Sequence, residues 1–118
     1  MTRVWALAAS LILLVAVGCK SEWIDATIEN QTGKPLHEIQ VDYPTASFGA
    51  NALDPGAVMH YRFQTRGRGT IKVGYTEIDG KTDRAEGPRL EEHQQGQLTI
   101  RLLPMGKVDF LANLRPPS

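Results

Sequence analysis

The stretch TIKVGYTEIDGKTDRAE, residues 70–86, decides the fold. Ile71, Val73 and Tyr75 alternate with Lys72, Gly74 and Thr76, which is the two-residue period of a half-buried strand rather than the period of a helix. Asp79-Gly80 then supplies a hairpin turn of type I′, in which both central residues take positive φ. A strand over 70–78 is therefore expected to be followed by an antiparallel return over 81–86. The polarity of Thr82, Asp83, Arg84 and Glu86 marks that return as an exposed sheet edge.

The alternation recurs on both sides of this hairpin. Residues 23–29 place Ile24, Ala26 and Ile28 on one face and Asp25, Thr27 and Glu29 on the other. Residues 36–43 turn Ile39, Val41 and Tyr43 inward, and a weaker strand over 47–53 shares Phe48, Ala50 and Ala52. Met59, Tyr61 and Phe63 oppose His60, Arg62 and Gln64 over 58–64, and Leu98, Ile100 and Leu102 oppose Thr99, Arg101 and Leu103 near the C-terminus. Turn chemistry separates the strands: NQTGKP at 30–35, DPG at 54–56, RGRG at 66–69, a polar loop at 87–96 and PMG at 104–106. A short strand or end cap is expected over 108–111 and a frayed tail over 113–118.

Seven or eight short strands with turns every ~8–12 residues predict an all-β fold. The expected architecture is a single antiparallel β-sandwich over residues 23–112, immunoglobulin-like in size. Its expected centre is Ile28, Val41, Tyr61, Phe63, Ile71, Val73, Leu98 and Ile100. The Cys and Trp hallmarks of antibody domains are missing, so spacing gives an architecture and no strand order.

The chain has 118 residues, with 13 Lys and Arg against 13 Asp and Glu and a single cysteine, Cys19. That length holds one domain, and that cysteine count rules out an internal disulfide, so stability must come from packing. The charge balance gives no clustered basic face for nucleic acid.

Residues 1–19, MTRVWALAASLILLVAVGC, form a separate unit. Arg3 begins it, residues 4–17 are apolar apart from Ser10, and small residues lead into Cys19, the order of parts in a secretory signal peptide. As a helix the apolar run spans roughly 21 Å, short of the roughly 30 Å hydrocarbon core of a bilayer. Ala16-Val17-Gly18-Cys19 resembles the lipobox of bacterial lipoproteins. The resemblance covers only the first nineteen residues, and Ala16 stands where Leu is the more typical occupant. It implies that residues 1–18 are a signal-peptide helix removed by cleavage between Gly18 and Cys19, and that Cys19 is lipidated by a diacylglyceryl group, palmitate being a typical acyl chain. Residues 19–22 then form the lipidated Cys and a short tether. The protein would sit in the cell envelope as a lipid-anchored domain. Lys20 and Ser21 after the cysteine, rather than Asp, imply the outer membrane where two membranes exist.

No motif in the remaining sequence specifies a chemistry. There is no Gly-x-Ser-x-Gly elbow, no HExxH and no cysteine cluster, so no catalytic residue, metal ligand or cofactor is assigned. His37 and His60 fall on polar strand faces. The Arg66-Gly67-Arg68-Gly69 loop lacks the strand-to-helix setting of a phosphate cradle. Arg66 and Arg68, with Glu91, Glu92 and His93, are instead candidate binding-loop residues, because a sandwich presents its end loops as binding surfaces. Residues 32–35 are a third such loop. Trp23, out of phase with Ile24, Ala26 and Ile28, reads as a packed residue at the end of the sandwich or, alternatively, as a ring on the outer face or at the lipid headgroups.

These observations point to a non-enzymatic envelope module that binds an envelope protein or a glycan, or supports an assembly. One alternative is a small hydrolase or metal-dependent enzyme whose site gathers His37, His60 or His93 with carboxylates. A second is an accessory subunit of an export or uptake system.

Overall fold

The computed structural model describes residues 22–116 and contains eight strands. They are β1 (Ile24–Asn30), β2 (Leu36–Tyr43), β3 (Ala46–Leu53), β4 (Val58–Phe63), β5 (Gly69–Glu77), β6 (Thr82–Leu90), β7 (Gln95–Leu102) and β8 (Val108–Arg115), with one 3₁₀ turn at Pro104–Gly106. Cys19, Gly18 and the rest of the expected signal and lipobox segment lie outside the described residues.

Two four-stranded sheets, ordered β4-β1-β7-β8 and β3-β2-β5-β6, pack face to face as a β-sandwich. Pairing of β1 with β4, and of β3, β2, β5 and β6 in that order, is the B–E and C′–C–F–G pattern of immunoglobulin-type sandwiches. The departure is at the seat of strand A. There β7 lies beside β1 and runs parallel to it, with Ile28 opposite Ile100, and carries β8 outward. The expected all-antiparallel pairing is therefore corrected at this one contact.

The period-two pattern explains the core. Ile24, Ala26 and Ile28 of β1 and Leu98, Ile100 and Leu102 of β7 are buried against Val41, Ile71, Val73 and Tyr75 of the other sheet. Seven of the eight expected central residues are buried; the exception is Tyr61, 43% exposed. Its side chain follows the expected alternation, but β4 is an edge strand. The ring therefore lies at the rim, stacked on Phe48 at 4.2 Å between centroids. Truncating a central Ile or Leu to Ala costs about 2–5 kcal/mol.

Four local features differ from the sequence reading. In β2, Leu36 and Ile39 both face the core although three positions separate them, an odd number that strict alternation forbids. Glu38 resolves the conflict by taking φ 51° within a β-bulge between His37 and Gln40. β3 shifts phase alongside it, so Leu53, and not Ala52, is buried with Phe48.

At the 77–81 hairpin only Gly80, with φ 90°, is in the left-handed region. The Glu77 N–H donates to Lys81 O and the Gly80 N–H to Glu77 O, at 2.7 and 2.9 Å. This is a three-residue loop closed by a glycine bulge, in place of the expected type I′ turn.

The polar segment expected as a loop from 87 is strand up to Leu90, which is fully buried. A second bulge, at Gly87 and Pro88 opposite Ile71, turns Leu90 into the core. β8 likewise continues through residues 113–115, where a tail was expected, because Gln95, Gly96 and Gln97 pair with them.

Candidate functional site

β1 starts, and β8 ends, at the same pole of the sandwich. The turn after β2 and the loops at 64–68 and 91–94 lie there too, since β2, β4 and β6 end at this pole. The fold thus brings the expected binding-loop residues Arg66 and Arg68 to the same end as Glu91, Glu92 and His93. Thr65, fully buried, ties the loops together: its carbonyl accepts from the His93 N–H at 3.0 Å and its hydroxyl from the Gln94 N–H at 3.2 Å. The third expected loop, 32–35, lies at the opposite pole.

The charges at this pole are mostly paired. Arg68 lies 3.3 Å and Arg89 3.1 Å from Glu91, and His93 contacts Glu22 at 3.1 Å and Glu92 at 3.6 Å. Exposed pairs of this kind contribute at most about 1 kcal/mol each and mainly set loop orientation. His37, His60 and His93 are not gathered into one pocket. His37 is on the open face of the β3-β2-β5-β6 sheet, His60 meets the Thr27 hydroxyl at 3.3 Å on the opposite sheet, and His93 is in the polar loop. Among the described residues no group of three or more His, Cys, Asp or Glu is arranged to hold a metal ion.

Beside this charged rim lies an aromatic cluster that alternation alone did not reveal. Tyr43 packs on Phe63 at 4.3 Å, Phe63 on Phe48 at 5.6 Å, and Phe48 on Tyr61. The cluster closes the seam between edge strands β3 and β4. Burial, and then the neighbouring Tyr61, raises the Tyr43 phenol above its ordinary pKa. Trp23 is 38% exposed, with the Arg62 guanidinium carbon 5.0 Å from its ring centroid. The outward phase read for Trp23 places it at this rim.

The four sheet edges differ in protection. β4 carries Arg62, β6 carries Pro88 and several charges, and β8 carries Asp109 and Arg115. On β6, Asp83 also points inward, its side chain only 11% exposed, a device that discourages strand addition. β3, ASFGANAL, has neither a charge nor a proline over eight residues.

No protein-family model matches the chain, and no curated protein matches it significantly. A solved structure described as the NMR structure of the protein from Eubacterium rectale is similar in fold. Its TM-score is 0.56 at 16% identity, over 80% of this chain and 93% of that one.

Proposed function

We propose that the protein is a lipid-anchored, non-enzymatic binding module of the cell envelope, tethered through Cys19, that takes an extended segment of an envelope protein onto the β3 edge. The observation that carries the binding part is β3 itself, an eight-residue edge without charge or proline beside three edges that have them. Such an edge offers unpaired backbone N–H and C=O groups to an incoming strand. The anchor part is supported by the lipobox-like Ala16-Val17-Gly18-Cys19.

A photoreactive side chain at Asn51 tests the binding part in cells. The expected result is one discrete cross-linked species that Ala52→Lys, at an exposed position of the same edge, removes while the melting temperature is unchanged. Cross-linking that Ala52→Lys leaves intact, or none at all, contradicts it. Labelled palmitate tests the anchor: the intact protein should incorporate it and Cys19→Ala should not.

A further inference from the structure

The pole at which β1 starts has an aromatic and basic part whose first residue, Trp23, follows Cys19 closely in sequence. Trp23, Tyr61, Arg62 and Arg66 line one shallow hollow of about 360 Å³, and no acidic residue is among its walls. Trp23 and Tyr61 are partly open to solvent. Arg62 lies over the indole ring and also contacts Asp25 at 3.5 Å, while Arg66 donates to Gln64 Oε1 at 3.3 Å.

Four residue steps separate Cys19 from Trp23, and a fully extended chain covers at most ~14 Å in four steps. The glyceryl group of an acylated Cys19 lies in the headgroup layer, which adds roughly 5–8 Å on each side of the hydrocarbon core. Even an extended tether therefore holds the indole within about one headgroup layer's thickness of the membrane surface, and any bend brings it in.

We infer that this hollow docks onto the phospholipid surface that holds the Cys19 acyl chains, an inference that rests on the proposed acylation. Trp23 and Tyr61 sit among the headgroups, where an apolar ring with a polar edge is favoured. Arg62 and Arg66 face the lipid phosphates, to which guanidinium donates in forked geometry. The docked pose sets only the near-pole end of the β3–β4 seam, at Ala46 and Phe63, against the membrane and directs the turns at 31–35 and 54–57 outward. β3 from Gly49 onward runs away from the surface and stays open.

Trp5 lies in the segment removed by cleavage, so Trp23 is the single tryptophan of the mature chain and its emission reports the site directly. The protein is purified from membranes, the mass of its N-terminal peptide is measured, and it is reconstituted in vesicles of phosphatidylethanolamine and phosphatidylglycerol carrying lipids brominated near the headgroup. The expected result is an acylated Cys19, loss of most Trp23 emission to the brominated lipid, and little loss to aqueous iodide. Arg66→Glu should weaken the bromolipid quenching, as should replacing phosphatidylglycerol with phosphatidylcholine in the unsubstituted protein. An acylated Cys19 with Trp23 quenched by iodide and not by bromolipid overturns the docking while leaving the anchor intact. An unacylated Cys19 overturns the anchor reading and the docking with it.

Discussion

The carboxamide of Asn30 donates to the carbonyl of Leu53 at 2.9 Å, joining the last residue of β1 to the last residue of β3 across the two sheets. The same nitrogen donates to Lys34 O at 2.8 Å, and Asn30 Oδ1 accepts from the Thr32 N–H and hydroxyl. Its backbone adds an N–H bond to Ala57 O and accepts from the Gly56 N–H. One fully buried residue thus fixes two turns at the far pole, 31–35 and 54–57. Asn30 heads an Asn-Gln-Thr sequon, yet its side chain has no room for a glycan.

Asn30→Ala removes the side-chain partner of Leu53 O and of the Thr32 N–H and one of the two donors to Lys34 O, and is expected to cost about 3 kcal/mol, read as a shift in the urea midpoint. Asn30→Asp should be worse at neutral pH, because a carboxylate cannot donate to Leu53 O. Part of that loss should return on acidification, when the acid regains a donor.

Glu38→Gly should stabilise the domain by about 1 kcal/mol, because the left-handed backbone at Glu38 burdens any residue with a Cβ. Glu38→Val should destabilise it. Equal melting temperatures for the three proteins would contradict the bulge geometry.

Gly87 lets the second seam close. A Cβ there would stand 2.6 Å from Phe110 Cδ1 and 2.7 Å from Ile71 Cγ2, so the β8 ring would have to move off β6. Gly87→Ala is expected to cost about 2 kcal/mol by overpacking. Gly87→Ala with Phe110→Leu should recover part of it, a coupling that a double-mutant cycle measures.

Burial first, then the carboxylates of Asp83 and Glu77, push the Tyr75 phenol up to about 12 from 10.0. The raised value means the fold holds the neutral phenol more firmly than the unfolded chain does. Its contribution is fully present below pH 10 and is lost as pH rises towards about 12. Alkaline unfolding should therefore set in over that interval, and Tyr75→Phe should flatten the stability profile there. Tyr43, also raised, adds in the same direction.

Much of this fold is legible in local alternation. Ile24-Ala26-Ile28, Ile71-Val73-Tyr75 and Leu98-Ile100-Leu102 announce their buried faces because each lies in an unbroken inner strand. Bulges are not legible that way. Glu38 carries no turn signature, yet it lets Leu36 and Ile39 share a face, and Gly87-Pro88 reads as a breaker while serving as a bulge in an edge strand. Tyr61 has the phase its alternation indicates but lies at the rim, since a lone sequence does not show which strands lie at an edge. The meeting of Arg68 with Glu91 depends on strand order, and so does the parallel contact of β1 with β7. At the pole where β1 starts, the sequence points to the loop residues Arg66, Arg68, Glu91, Glu92 and His93, and the topology brings them together beside the aromatic cluster.

The claim on which the rest depends is that a small β-sandwich hangs from a lipid at Cys19. The intact mass of the protein isolated from membranes tests it most directly. The predicted mass is that of residues 19–118 plus a diacylglyceryl group, with or without a further acyl chain on the new amino terminus. A chain that retains Met1, or one that begins at Cys19 with a free thiol, would contradict it.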